Sequence, residues 1–398
     1  MSGTSLDGLD LCAAEFKRSG DRWTYRIRAF ETVSYRGTHW PERLAAAYSD
    51  RGALRTQISL DFASWCQDQW LAFGSRHHFA AHAVAHHGHT VEHDPSRGIT
   101  VQIGHEALVF ASSPIPVVGD FRSGSVARGG QGAPLVPLAD RDLFADFAVC
   151  VNLGGFSNAS WTDAGGLRRA GDLGPCNGLL NPLAGELGLD YDPEGQHAAR
   201  GRVAPSSLAS SSLATSSLAN PQTSQQPTSQ SQPISANEPI SAHLSQRANE
   251  PISANLSQLN YYSAPFPKSL GREWMEREFW PLFNSARPTR TEDALATASA
   301  HIAWSIAHGL RTANAPYGKA LLSGGGARNA HLVRQLCQIA PEWHWMVAPD
   351  DILESKEALA FAYLGLLRLR NEPNVLASYA GGQNDGCDGT VFGKFDKT

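Results

Sequence analysis

Leu9 to Phe16 is a mostly apolar run that predicts a strand, and Trp23 to Tyr35 alternates well enough to predict another. Between Gln57 and Phe73 the large apolar residues Leu60, Trp65, Trp70 and Leu71 predict a helix. Val84–Ala85, Ile99 to Ile103 and Ile115 to Val118 read as short buried strands, and the apolar run from Phe147 to Leu153 ends in Gly154-Gly155. Farther on, Leu295, Ile302, Ile306 and Leu310 form one stripe of a long helix over 291–310. Leu321-Leu322 is a strand that runs into Gly324-Gly325-Gly326, and a helix follows from about Asn329 to Cys337. Ser355 to Leu367, with Leu359, Ala362, Tyr363 and Leu366 apolar, makes the last strong helix. Strands and helices that alternate in this way predict an α/β fold.

Residues 203–260 break the pattern. Ser-Ser-Leu-Ala recurs from Ser206, Ser211 and Ser216, and Ala-Asn-Glu-Pro-Ile-Ser-Ala occurs from Ala236 and again from Ala248. Ser, Gln, Asn and Pro dominate, with almost no aromatic residues, so the segment cannot bury enough apolar surface to offset its ordering entropy. Such short repeat units do not suit a solenoid. The segment is expected to be a disordered insertion on a surface away from the chemistry.

The 398 residues suffice for two lobes. A formal charge of −5, from 33 basic and 38 acidic residues, gives no electrostatic case for nucleic acid or an anionic membrane. The six cysteines are far apart and form no CxxC pair, which fits reduced thiols better than disulfides or a zinc site. No segment has the roughly 18 apolar residues of a membrane span, and no signal sequence is evident. A soluble, cytoplasmic protein is expected. His86, His87, His89 and His93 invite a metal reading, but no further ligand motif accompanies them.

The candidate chemistry lies in three polar glycine turns, each at a strand end: Gly3 to Asp10, Asn152 to Asn158 and Ser323 to Asn329. In the first, Gly3, Thr4, Ser5, Leu6, Asp7, Gly8, Leu9 and Asp10 combine the groups that grip a phosphate. Glycines let backbone amides close around it, hydroxyls donate to its oxygens, and a carboxylate such as Asp7 can hold Mg²⁺ through water. Gly154 and Gly155 would hold phosphates from the opposite side, and bare backbone at Gly324, Gly325 and Gly326 would let an adenosine lie flat. Three such turns across an α/β chain suggest two lobes closing on a nucleotide. A turn of the first kind normally hangs between two strands, yet only Met1 and Ser2 precede it, so the first strand is expected to be missing, through a late or truncated start or a strand lost from the sheet.

The order and wording of these motifs resemble the anhydro-N-acetylmuramic acid kinase family, a branch of the actin-like and hexokinase-like ATPases. The similar stretches are MSGTSLDGLD from Met1, HGHTVEHDP from His87, VQIG from Val101, DFR from Asp120, GGQGAPLVP from Gly129, NLGGFSN from Asn152, GDLGPCN from Gly171, YDPEG from Tyr191, PKSLGRE from Pro267, SGGGARN from Ser323 and EALAFA from Glu357. They span the chain apart from the insertion. The resemblance implies a two-lobed, ribonuclease H-like ATPase fold with the active site in a cleft between lobes. Residues 1–140, joined by a C-terminal helix in 355–398, would form one lobe, and 141–354 the other. It implies ATP and Mg²⁺ as cofactors, a small anhydro-amino sugar as partner, and homodimers.

The implied reaction phosphorylates O6 of 1,6-anhydro-N-acetylmuramic acid while water opens the anhydro bridge, a step of peptidoglycan recycling. Because O6 is an ether oxygen without a proton, the base must activate a water to attack C1 instead. Asp172 matches the family's general base and is expected on a Gly-Pro turn facing the cleft; its plain alternative is a cap on a helix from Asn177. Arg122 would pair with the lactyl carboxylate, with His87 and Glu357 also at the sugar site and Asn329 at the nucleotide. Glu357 has a second reading, as an acid favourably placed at a helix N-terminus. His89 stands where the family has glutamine, Cys176 for glycine, Leu173 for a hydroxyl residue, and Asn181 and Ser125 for aspartates. These departures leave open a related kinase with a changed acceptor or a binding protein without turnover, against which the intact Asp7, Asp10 and Asp172 argue.

Overall fold

A computed structural model of the chain describes residues 1–3, 6–204 and 252–393. It opens with a long hairpin, β1 (Gly8–Ser19) and β2 (Arg22–Ser34), paired antiparallel with a bulge at Ala13/Ala14. The residues upstream are paired too. Ser2 bridges Leu9, the Asp10 amide donates to the Met1 carbonyl (2.8 Å), and Met1 N donates to the Asp10 carbonyl (2.7 Å). Met1 and Ser2, the only residues upstream of the first turn, thus pair with Leu9 and Asp10 on its far side. Leu9 and Leu11 face a core made with Tyr35, just past β2, Trp40 and Leu44 from α1 (Trp40–Ser49) and Ile58, Phe62 and Cys66 from α2 (Ala53–Arg76).

β3 (Val84–Ala85) runs parallel to β6 (Val117–Gly119), while β4 (His89–Asp94) and β5 (Ile99–Ile103) form a separate hairpin. A short helix, α3 (Pro137–Leu143), leads into the main sheet. That sheet has β7 (Val149–Leu153) at its centre, then β8 (Phe156–Thr162) and β9 (Arg168–Pro175) as an antiparallel meander. After α4 (Asn177–Gly185) and α5 (Thr291–Thr312), β10 (Gly318–Ser323) lies parallel to β7. α6 (Ala330–Ile339) then returns the chain to β11 (Trp343–Val347), parallel to β10, giving the order β11-β10-β7-β8-β9.

α5 is buried almost all round because its many alanines allow close approach to the sheet. It shares one core with Val149, Val151, Leu153, Trp161 and Leu173. α7 (Asp350–Leu369) packs against β1, β2, β3 and β6 and also touches β10. Its Leu359, Tyr363 and Leu364 are fully buried, each such side chain contributing about 1.5–3 kcal/mol. β12 (Thr390–Phe392) closes the order β12-β6-β3. The expected terminal helix therefore begins at Asp350, ends at Leu369 and gives way to a strand.

The expected insertion is shorter at its downstream end than the sequence suggested. Helical backbone resumes at Ile252, and Leu256 and Tyr262 are buried in the main core or against it. Leu256, hidden among polar neighbours, anchors the chain before residue 260, and Tyr262 anchors it just after. The reading of residues 205–251 as disordered lies outside the described residues.

Candidate active site

The parallel strands β7 and β10 end side by side, with Ser323 in register with Asn152, so the second and third glycine turns are neighbours. Strand ends of this kind are where open α/β sheets bind ligands. A cavity of about 1040 Å³ opens there, walled in part by Asp10, Arg122, Asn152, Asn158, Asp172, Gly324 and Glu357. Five residues predicted from three distant parts of the sequence (Asp10, Arg122, Asp172, Gly324 and Glu357) meet in this one space.

Asp172 sits within strand β9, not on a turn. It caps nothing: α4 has Cys176 at its N-cap, without a side-chain bond. Its backbone is tied to a segment nearly a hundred residues away. The Asp172 amide donates to the Lys268 carbonyl (2.9 Å), and the Tyr261 hydroxyl donates to the Asp172 carbonyl (2.7 Å). The Leu270 amide donates to Asp172 Oδ2 at 2.7 Å, leaving Oδ1 without a hydrogen-bond partner among the described residues. A Cβ on Gly171 would lie 2.6 Å from the Phe266 ring and 2.9 Å from the Lys268 carbonyl, so only glycine lets this segment approach β9. Burial pushes the Asp172 carboxyl up to about 6, and the Leu270 amide only partly offsets it.

Asp10 enters the cavity from β1 and accepts a bond from Thr32 Oγ1 (2.6 Å). Burial raises its pKa, with the Thr32 bond opposing. Asp7 is exposed and lies outside the cavity wall. Its carbonyl accepts from the Tyr35 amide. Leu6 adopts φ 56°, the left-handed region in which a side chain is uncommon. Leu9 is buried in the core, and Thr4 and Ser5 lie outside the described residues.

Gly154 and Gly155 are also outside the cavity wall. Their carbonyls accept the first amides of α4, from Asn177 to Gly154 and from Cys176 and Gly178 to Gly155. From this turn the wall receives the side chains of Asn152 and Asn158 instead. Of the third turn only Gly324 reaches the cavity. Asn329 caps α6 by accepting from the Leu332 amide (3.0 Å). Glu357 does not head its helix; α7 begins two turns earlier, at Asp350. Its side chain opens on the cavity while protein surrounds it, and this burial raises its pKa against the pull of Arg122. His87 is buried behind the wall, 3.0 Å from Arg122 Nη2.

The histidines do not assemble into a site. His89 Nδ1 is 3.0 Å from Ser2 Oγ, and His93 Nδ1 is 3.0 Å from Thr100 Oγ1. Among the described residues no three His, Cys, Asp or Glu side chains are grouped to hold a metal ion. Of the departing positions, Leu173, Cys176 and Ser125 are buried, Asn181 is exposed, and none lines the cavity.

Sequence reasoning missed a buried ion pair in the cavity wall. Lys356 Nζ is 2.8 Å from Asp140 Oδ1 and donates to Ser323 Oγ (3.2 Å). Ser160 Oγ donates to Asp140 Oδ2 (2.6 Å), and Arg168 Nη2 donates to Ser160 Oγ (2.7 Å). Burial works against the Lys356 charge, but Asp140 outweighs it and the pKa rises. The signal was in the sequence: Lys356 lies in helical phase with the buried Leu359 and Tyr363. Lys268 was missed as well, although its motif was recognised. Its ammonium donates to the carbonyls of Tyr261 (3.0 Å) and Tyr262 (3.3 Å), and burial lowers its pKa to about 8.

The comparisons with known proteins point one way. The family model "Anhydro-N-acetylmuramic acid kinase" matches residues 1–226 and 241–394. A protein of that name from Cupriavidus pinatubonensis is 32% identical, covering 98% of this chain and 96% of its own length. Namesakes from Pseudomonas fluorescens and Pseudomonas putida are 30% and 31% identical, with coverage of 94% and 95% of both chains. With motifs at both ends of the chain meeting in one cavity and matches of this extent, the chain belongs to the anhydro-N-acetylmuramic acid kinase family.

Proposed function

We propose that this enzyme uses ATP to phosphorylate O6 of 1,6-anhydro-N-acetylmuramic acid while water opens the anhydro bridge. The observation that carries the reading is Asp172. It is a carboxylate in the cavity wall with one oxygen held by a backbone amide, the other without a partner among the described residues, and a pKa raised toward neutrality. Such a group takes a proton from water near neutral pH more readily than an ordinary aspartate does. As that water attacks C1, the C1–O6 bond breaks and its electron pair stays on O6, which takes the γ-phosphoryl group as the bond to the β–γ bridging oxygen breaks and ADP leaves. The proton remains on Asp172 until solvent removes it.

The glycine turns at the ends of β7 and β10, with the turn before β1, support a nucleotide site of the two-lobed actin-like kind. In this reading α7 belongs with the β1–β2 hairpin. Magnesium arrives on ATP and needs little more from the protein than one carboxylate facing the phosphates. Asp10 suits that role better than Asp7, because it borders the cavity. When bound, the ion would neutralise charge on the transferring phosphoryl group. Arg122 fits pairing with the lactyl carboxylate of the sugar.

The test is to incubate the protein with Mg–ATP and 1,6-anhydro-N-acetylmuramic acid in ¹⁸O-water and analyse the product by mass spectrometry. Label at C1 together with phosphate on O6 is expected. ADP without label at C1, or activity only on sugars with a free hydroxyl, would overturn the mechanism.

A further inference from the structure

His87 and Arg122 form a unit whose proton positions are fixed by geometry. Arg122 donates through Nη1 to the Gly132 carbonyl (2.7 Å) and through Nη2 to His87 Nε2 (3.0 Å). An arginine cannot accept, so Nε2 must, and the ring proton belongs on Nδ1. Nδ1 is 3.1 Å from the Gly88 carbonyl, which accepts it. The ring is therefore the neutral Nδ1–H tautomer, held at both nitrogens. The ring packs against Phe361, with centroids 4.6 Å apart and planes tilted by 49°. Gly88 makes the arrangement possible. Its φ is +71°, and a Cβ there would lie 2.5 Å from the Ile103 carbonyl oxygen and 2.7 Å from His105 Nε2.

The choice of partner matters for charge. A carboxylate on Arg122 would neutralise it and leave little attraction for an anionic substrate. Imidazole and a carbonyl orient the guanidinium without neutralising it. Among the described residues no carboxylate lies within ion-pair distance of Arg122; Glu357 acts on it only from beyond that distance. Protonating His87 would set donor against donor, and burial together with the Arg122 charge holds the ring neutral.

We propose that His87, instead of touching the sugar, is a positioning residue that aims an un-neutralised Arg122 at the acceptor and so selects a sugar bearing a carboxylate. The inference deepens the reading of Arg122 given above and rests on it. Binding of 1,6-anhydro-N-acetylmuramic acid and of its uncharged lactyl methyl ester is measured by calorimetry, with ATP binding as the check on folding. The wild type prefers the free acid. His87→Phe removes the acceptor and should cut that preference by about tenfold or more. His87→Gln returns an acceptor near the Nε2 position and should keep most of it. His87→Asn, whose amide reaches only to the Nδ1 position, should behave like His87→Phe and carries the test if phenylalanine is not accommodated. A variant without the acceptor that binds ATP normally and keeps the full preference overturns the inference, provided Arg122→Met loses it. If Arg122→Met also keeps the preference, the pairing of Arg122 with the carboxylate is what fails.

Discussion

Two aspartates border the same cavity and live in opposite circumstances. Asp140 faces the Lys356 ammonium at 2.8 Å and accepts a bond from Ser160. Among the described residues Asp172 has no cation within ion-pair distance and only the Leu270 amide on one carboxylate oxygen. A carboxylate paired with a buried ammonium on one oxygen and bonded by a serine on the other is fully engaged in packing, so Asp140 reads as structural. A carboxylate raised by burial and half unsatisfied is ready to take one. One acid thus ties α7 to α3 and, through Ser160, to β8, while the other is the one the proposed mechanism uses.

The comparison breaks most visibly at Asp172. Asp172→Asn keeps shape and packing but removes the base, so kcat should fall by about 10²–10⁴ while calorimetry finds ATP binding unchanged. Asp140→Asn should do the reverse, with a larger loss of stability than of chemistry. Lys356→Met should lower unfolding free energy by about 3–5 kcal/mol, because it strands a buried Asp140. The double variant Lys356→Met/Asp140→Leu should lose less than the two single changes combined, as denaturant titration would reveal. Gly171→Ala should be mildest. Its methyl must displace Phe266 or the Lys268 carbonyl, at about 1–3 kcal/mol, loosening Leu270 from Asp172. The acid limb of its pH profile should therefore shift upward relative to wild type.

The fold was legible where periodicity is strong. β1, β2, α5 and α7 follow from their own apolar patterns, with ends that differ by a few residues. β8 and β9 were not seen, because Gly171, Gly174 and Pro175 read as turn residues; the pairing that makes them strand comes from β7. For the same reason Asp172 was placed on a turn. At the site, residue types pointed to Asp10, Arg122, Asp172, Gly324 and Glu357. The tie from Leu270 spans 98 positions and the low-complexity segment, and no local pattern announces it. Gly154 and Gly155 also give their carbonyls to the start of α4, a contact that no local pattern announces.

The central claim is that Asp172 accepts the proton from the attacking water. The direct measurement is kcat/KM for the anhydro sugar between pH 4.5 and 8 at saturating Mg–ATP. The base works ionised, so activity should hold above its pKa and fall about tenfold per pH unit below it. With burial raising Asp172 to about 6, the bend should come near pH 6. A profile flat down to pH 5, as an unperturbed aspartate near 4 would give, would contradict the account.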